Sequence, residues 1–167
     1  TCRDWSSDVC SSDLTIQDEL TKRCAGFEFL SSMANGPEQA KAIVEQDKAE
    51  PVDGYLVYQM NCWNPVVQTV AATGKPVLYA DFQYGGSGGF LVYTAGFIRR
   101  QTPNVGFIAS SRIEDLAEAV HCFSQAKGQP AAYDFAGAVH RIRTSRTSAA
   151  GDLKCTSDTL KTLSATD

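Results

Sequence analysis

The chain is short of several things, and each shortage removes a class of protein. It has no surplus of positive charge: 15 lysines and arginines stand against 19 aspartates and glutamates, a formal charge of −4. Binders of nucleic acid or of anionic membranes normally carry a basic excess, so neither partner is expected. No uninterrupted apolar run reaches the roughly 18 residues of a membrane-spanning helix. No charged segment leads into an apolar one at the start, so no secretory signal is expected. The 6 cysteines contain no Cys-x-x-Cys, which argues against a disulfide scaffold and a structural zinc site. Only 2 histidines are present, and His121-Cys122 has no ligand partners at zinc spacing. Scattered thiols without a signal fit a reducing cytoplasm.

At 167 residues, 43% hydrophobic and 20% charged, the chain has the size and composition of one globular domain. Its first stretch stands apart. Asp4 to Leu14, DWSSDVCSSDL, resembles one translated frame of a widely used short-read sequencing adapter. Residues 1–14 are therefore expected to be an artefactual segment with no part in the core, to be set aside as a tag would be. Setting them aside removes one basic and three acidic residues, along with Cys2 and Cys10. The rest is then expected to be a fragment.

From there, strand and helix signals alternate. A short strand is expected at Gly26 to Leu30, followed by a helix opening at Asn35-Gly36-Pro37, where proline suits the first turn. Gly54 to Gln59 carries the apolar run of a strand covered on both faces. Asn64 can cap the next helix with Pro65 at its first position, and Val66, Val67, Val70 and Ala71 form one stripe. Gly74 can supply the left-handed residue after that helix, and Pro76 prevents its continuation. A third strand is expected at Val77 to Asp81, a helix at Phe90 to Arg100 and a fourth strand at Val105 to Ala109. Ser111 and Glu114 have the spacing of a capping box ahead of Ile113, Leu116, Ala117 and Val120. This order predicts an α/β fold: a Rossmann-like parallel sheet of about four strands flanked by helices, over residues 15–128. Residues 129–167 are expected to hold one more helix, with Phe135, Val139 and Ile142 on its apolar face, then a linker or the truncated start of another region. Arg141, Arg143 and Arg146 are expected to form a solvated helix face.

In an open parallel sheet, ligands bind beyond the carboxyl ends of the strands. The residues expected there are polar and aromatic: Gln59, Asn61 and Trp63 after one strand, then Asp81, Gln83 and the Gly85-Gly86-Ser87-Gly88-Gly89 loop after the next. Ser110 and Ser111 follow the last strand. Amides and carboxylates suit hydroxyl groups, and an indole can stack on the apolar face of a sugar. Asn64 and Ser111 are expected only to cap helices. The glycine loop also fits G-x-S-x-G, with Ser87 as a hydrolase nucleophile and His121 or His140 as base. Phe82, Gln83 and Tyr84 separate it from the strand, which is poor context for a nucleophile elbow. It lacks the spacing of a P-loop or of a dinucleotide-binding turn.

Val52-Asp53-Gly54-Tyr55-Leu56-Val57, Asn61-Cys62-Trp63-Asn64 and Gly74-Lys75-Pro76-Val77-Leu78, in this order, resemble the N-terminal α/β part of the L-fucose and L-arabinose isomerase superfamily. The resemblance extends through Tyr79-Ala80-Asp81-Phe82 and Gly106-Phe107-Ile108-Ala109-Ser110-Ser111, covering roughly Gly26 to Phe123. It implies a homo-oligomeric cytoplasmic protein that interconverts an aldose and a ketose through an enediol, with a divalent metal such as Mn²⁺. The family's metal ligands and acid–base residues lie in later domains. The resemblance therefore implies no catalytic residue and no bound metal here, and transfers only a sugar-contacting role to the loops named above. The alternatives are a non-catalytic binding domain for a sugar or other small ligand, and a serine hydrolase using Ser87.

Overall fold

The computed structural model describes residues 16–49, 52–60, 63–81, 87–128 and 133–147. The adapter-like residues 1–14 and the tail from 148 onward lie outside them. The described elements are α1 (residues 16–23), α2 (Pro37–Gln46), β1 (Tyr55–Gln59), α3 (Val66–Ala71), β2 (Val77–Asp81), α4 (Ser87–Arg99), β3 (Val105–Ile108), α5 (Ile113–Val120), α6 (Cys122–Ala126) and α7 (Phe135–Thr147).

The sheet is parallel, in the order β1-β2-β3. Tyr55 pairs with Val77 and Gln59 with Asp81; Val77 in turn pairs with Val105. The expected α/β class is present, with three strands among the described residues instead of four. Residues 27–30 form no ladder. Their exposure nevertheless alternates as a strand's does: Phe27 and Phe29 are half-buried, Glu28 and Leu30 exposed. The two rings lie on one side, 6.2 Å apart. The strand-like pattern is there, and among the described residues the pairing partner is not.

Successive residues of a strand face opposite ways, and β2 is buried on both. Leu78 and Ala80 join a core with Leu20 of α1, Cys24 just after it, Leu116 of α5, Ala126 of α6 and Val139 of α7. Val77 and Tyr79 join a second core with Ala40 of α2, Val67 and Val70 of α3, and Phe90 and Phe97 of α4. So α2, α3 and α4 cover one face of the sheet, and α1, α5, α6 and α7 the other.

Several local expectations need correction. The first turn of α3 begins one residue late, with Pro65 in the capping position; Asn64 is displaced from it. Gly74 does take the left-handed conformation, φ 75°. The Ser111 capping box does not form: Arg112 precedes α5 and gives no side-chain cap. Ser110 acts there instead, accepting from the Arg112 N–H at 3.1 Å and donating to Asp115 at 2.6 Å. The segment starting at Ser87 is helical, so Ser87, Gly88 and Gly89 form the first turn of α4 and not a loop. The arginines of α7 are not all solvated. Arg143 lies 3.8 Å from the centroid of the Phe107 ring, and Arg146 is ion-paired with Asp115 and Glu118.

Candidate functional site

The carboxyl ends of β1 and β2 place two of the expected residues side by side. Gln59 and Asp81 are register partners in the last pair of the ladder. Gln59 is 4% exposed and Asp81 is half-buried. A buried carboxamide and a half-buried carboxylate thus stand one strand apart at the carboxyl end of an apolar sheet.

Trp63 stands beyond β1 and is 63% exposed. Its backbone is left-handed, φ 62°, which for a bulky side chain costs on the order of 1–3 kcal/mol. Its indole meets Tyr93 of α4 edge-on, with centroids 6.3 Å apart and planes at 89°. Edge-to-face contact suits the ring quadrupoles and leaves much of the indole surface open to solvent.

Two more hydroxyls belong to this neighbourhood. Tyr79 lies two residues before Asp81, and Thr94 follows Tyr93 on α4. Both side chains are buried, and neither hydroxyl has a hydrogen-bond partner among the described residues. Burial, then the nearby Tyr93 and Asp81, push the Tyr79 hydroxyl far above the ordinary tyrosine range. Burial and Asp81 push Tyr58 in the same direction. Both phenols therefore stay protonated at neutral pH and are not bases. Tyr79 lies within the apolar run of β2, and Tyr93 and Thr94 among the apolar residues of α4; their one sequence signal is a hydroxyl within an otherwise apolar stretch.

Asn61, Gln83, Gly85 and Gly86 lie outside the described residues. Gly88 sits exposed in the first turn of α4, with open space where a Cβ would be. Ser87 opens α4, on the face that α4 shares with α2 and α3. His121, between α5 and α6, and His140, on α7, belong to elements of the opposite face. Both histidines are exposed; His121 packs against Phe27, and His140 lies 2.8 Å from Arg143. The sheet thus separates Ser87's helix from both candidate bases of a hydrolase.

Among the described residues, no group of three His, Cys, Asp or Glu side chains could hold a metal ion. The described residues therefore do not fit a Mn²⁺ centre, and no chemical step is derived through one. No helix among them is long and apolar enough to cross a membrane. Comparison with family models, curated proteins and solved structures gives no match.

Proposed function

We propose that this chain is the sugar-contacting α/β part of an aldose–ketose isomerase-like protein, a cytoplasmic homo-oligomer whose metal chemistry resides in other domains. The observation that carries the reading is the placement of Gln59 beside Asp81 at the carboxyl end of the sheet, with exposed Trp63 at the rim. A polyol needs alternating donors and acceptors, which an amide and a carboxylate supply, and an aromatic surface for its C–H face. The order of motifs from Val52 to Ser111 supports the isomerase-like family. The same placement serves a non-catalytic sugar-binding domain equally well; downstream carboxylate and histidine ligands in the gene would favour the isomerase. The separation of Ser87 from both histidines weighs against a hydrolase.

The test is an NMR titration with a panel of aldoses, ketoses and their polyols. Shifts at the Trp63 indole and the Gln59 side-chain amide are expected together, saturating with one affinity. Gln59→Ala is expected to weaken binding by about 1–3 kcal/mol, because the sugar hydroxyl it meets loses its partner. No shift at either position with any member of the panel would remove the proposal.

A further inference from the structure

A cleft of about 720 Å³ runs along the outer edge of β1. Its walls are unlike those of a small-molecule pocket. On one side is β1 itself, lining it from Tyr55 to Gln59; on the other is the unpaired segment containing Phe27 and Phe29. Above and below are helices of opposite faces: Leu20 of α1 on one side of the sheet plane, Ala40 and Ile43 of α2 on the other. Edges formed by strand-like segments, with helices above and below, are the surroundings of a strand inside an α/β sheet.

The hand of the crossovers says which strand. Connections between parallel strands are right-handed in nearly all cases. α2, α3 and α4 lie on one face, and their connections step across the sheet in one direction: from residues 26–30 to β1, then to β2, then to β3. α1 lies on the other face. A right-handed connection through α1 must step the opposite way. A strand directly ahead of α1 would therefore lie on the β1 side of residues 26–30, which is where the cleft is. An intervening strand would also account for the absence of a ladder between residues 27–30 and β1. α1 itself begins at the right place: its first residues, Ile16 and Gln17, line the same cleft.

We propose that this cleft is an acceptor slot for one extended apolar β-strand, parallel to β1 and delivered by the chain segment directly ahead of α1. The backbone of β1 is set for it. The Tyr55 N–H donates across to Pro76 at 2.9 Å, so the N–H and C=O of the next residue, Leu56, point to the opposite edge, into the slot. In this chain the position ahead of α1 holds Ser11, Ser12 and Asp13, residue types poorly suited to a strand buried on both faces.

The experiment restores an apolar strand. Ser11→Val, Ser12→Ile and Asp13→Val together turn residues 9–14 into a continuous apolar run. Hydrogen exchange is then followed at the Leu56 amide, with Val57, whose N–H points to β2, as internal control. Exchange at Leu56 is expected to slow at least tenfold while Val57 changes less. Adding Leu56→Pro, which removes the slot-facing N–H and spares the ladder with β2, is expected to abolish any gain in thermal stability. An unchanged Leu56 rate in a folded, monomeric triple variant overturns the proposal. Protection that vanishes on dilution means two copies pairing through β1, and overturns the assigned occupant. Should the variant aggregate, the unaltered protein is titrated with the free peptide Val-Ser-Val-Ile-Val-Leu and Leu56 is followed again. Slowed exchange supports the slot, and an unchanged rate at saturating peptide overturns it.

Discussion

Gly106 of β3 lies directly beneath Val139 of α7: a Cβ placed on the glycine would be 2.5 Å from a Val139 methyl. No real Cβ is tolerated at that distance, so the close seating of α7 on the sheet depends on the missing side chain. Gly106→Ala is expected to destabilise the fold by about 1–3 kcal/mol, the usual range for overpacking a core. Urea unfolding of the single variants and of Gly106→Ala with Val139→Ala checks this. The pair should cost clearly less than the sum, since removing the Val139 methyls relieves the clash; strict additivity would contradict the packing account.

Arg146 joins α7 to α5 through Asp115 and Glu118, and Asp115 also accepts the Ser110 hydroxyl. Arg146→Ala is expected to cost about 1–3 kcal/mol, as for charged hydrogen bonds in a partly buried setting. Arg146→Lys should recover less than half, because an ammonium cannot fork between two carboxylates. Thermal unfolding at low and high salt provides the check. The component through the more exposed Glu118 should weaken with salt, and that through Asp115 much less.

Alkaline pH should unfold the protein through its tyrosines. Burial first, then a hydrogen bond with Asp47, pushes Tyr55 up from 10 to about 12. Up to about pH 10 both states keep the proton and the contribution is complete. From about pH 10 to 12 only the unfolded state loses it, so stability falls across that window. Tyr79 is displaced in the same direction and adds to the fall. Tyr55→Phe should flatten the stability profile across this window; an unchanged profile would show that Tyr55 titrates alike in both states.

Cys24 and Cys122 are 0% and 2% exposed, and burial raises both thiols above their ordinary value. A buried thiol with little thiolate reacts slowly. Peptide mapping after iodoacetamide treatment should find both unmodified in the native protein and labelled at the rate of unfolding. Rapid labelling of Cys24 under native conditions would mean that α1 detaches locally from the core.

Local signals in the sequence carried most of the helices and three strands. Pro37 and Gly74 occupy the places their backbone preferences demand, and the apolar runs from Tyr55 and Val77 became strands. Failure came where the outcome depends on a partner far along the chain. Residues 26–30 have a strand's alternation, but a strand also needs a neighbour, and alternation says nothing of who stands beside it. Ser111 and Ser110 both offer a hydroxyl near α5; the choice was made by the position of Asp115. Arg143 and Arg146 looked like a solvated face until α7 docked against Phe107 and α5. At the candidate site, the positions of Gln59 and Asp81 at strand ends and of Trp63 just beyond one were legible because strand ends in a parallel sheet are predictable. Tyr79, Tyr93 and Thr94 were hidden by their apolar neighbours.

The alternation along β2 has a thermodynamic consequence. Val77 and Tyr79 are integral to one half of the interior, and Leu78 and Ala80 to the other, so five residues of backbone are shared by two packed layers. Neither layer can melt while β2 stays in place for the other without exposing its side of the strand. The two halves therefore form one cooperative unit. Probes on opposite faces, such as Phe97 and Leu116, should report a single coincident transition, and damage to either face should lower the stability of both.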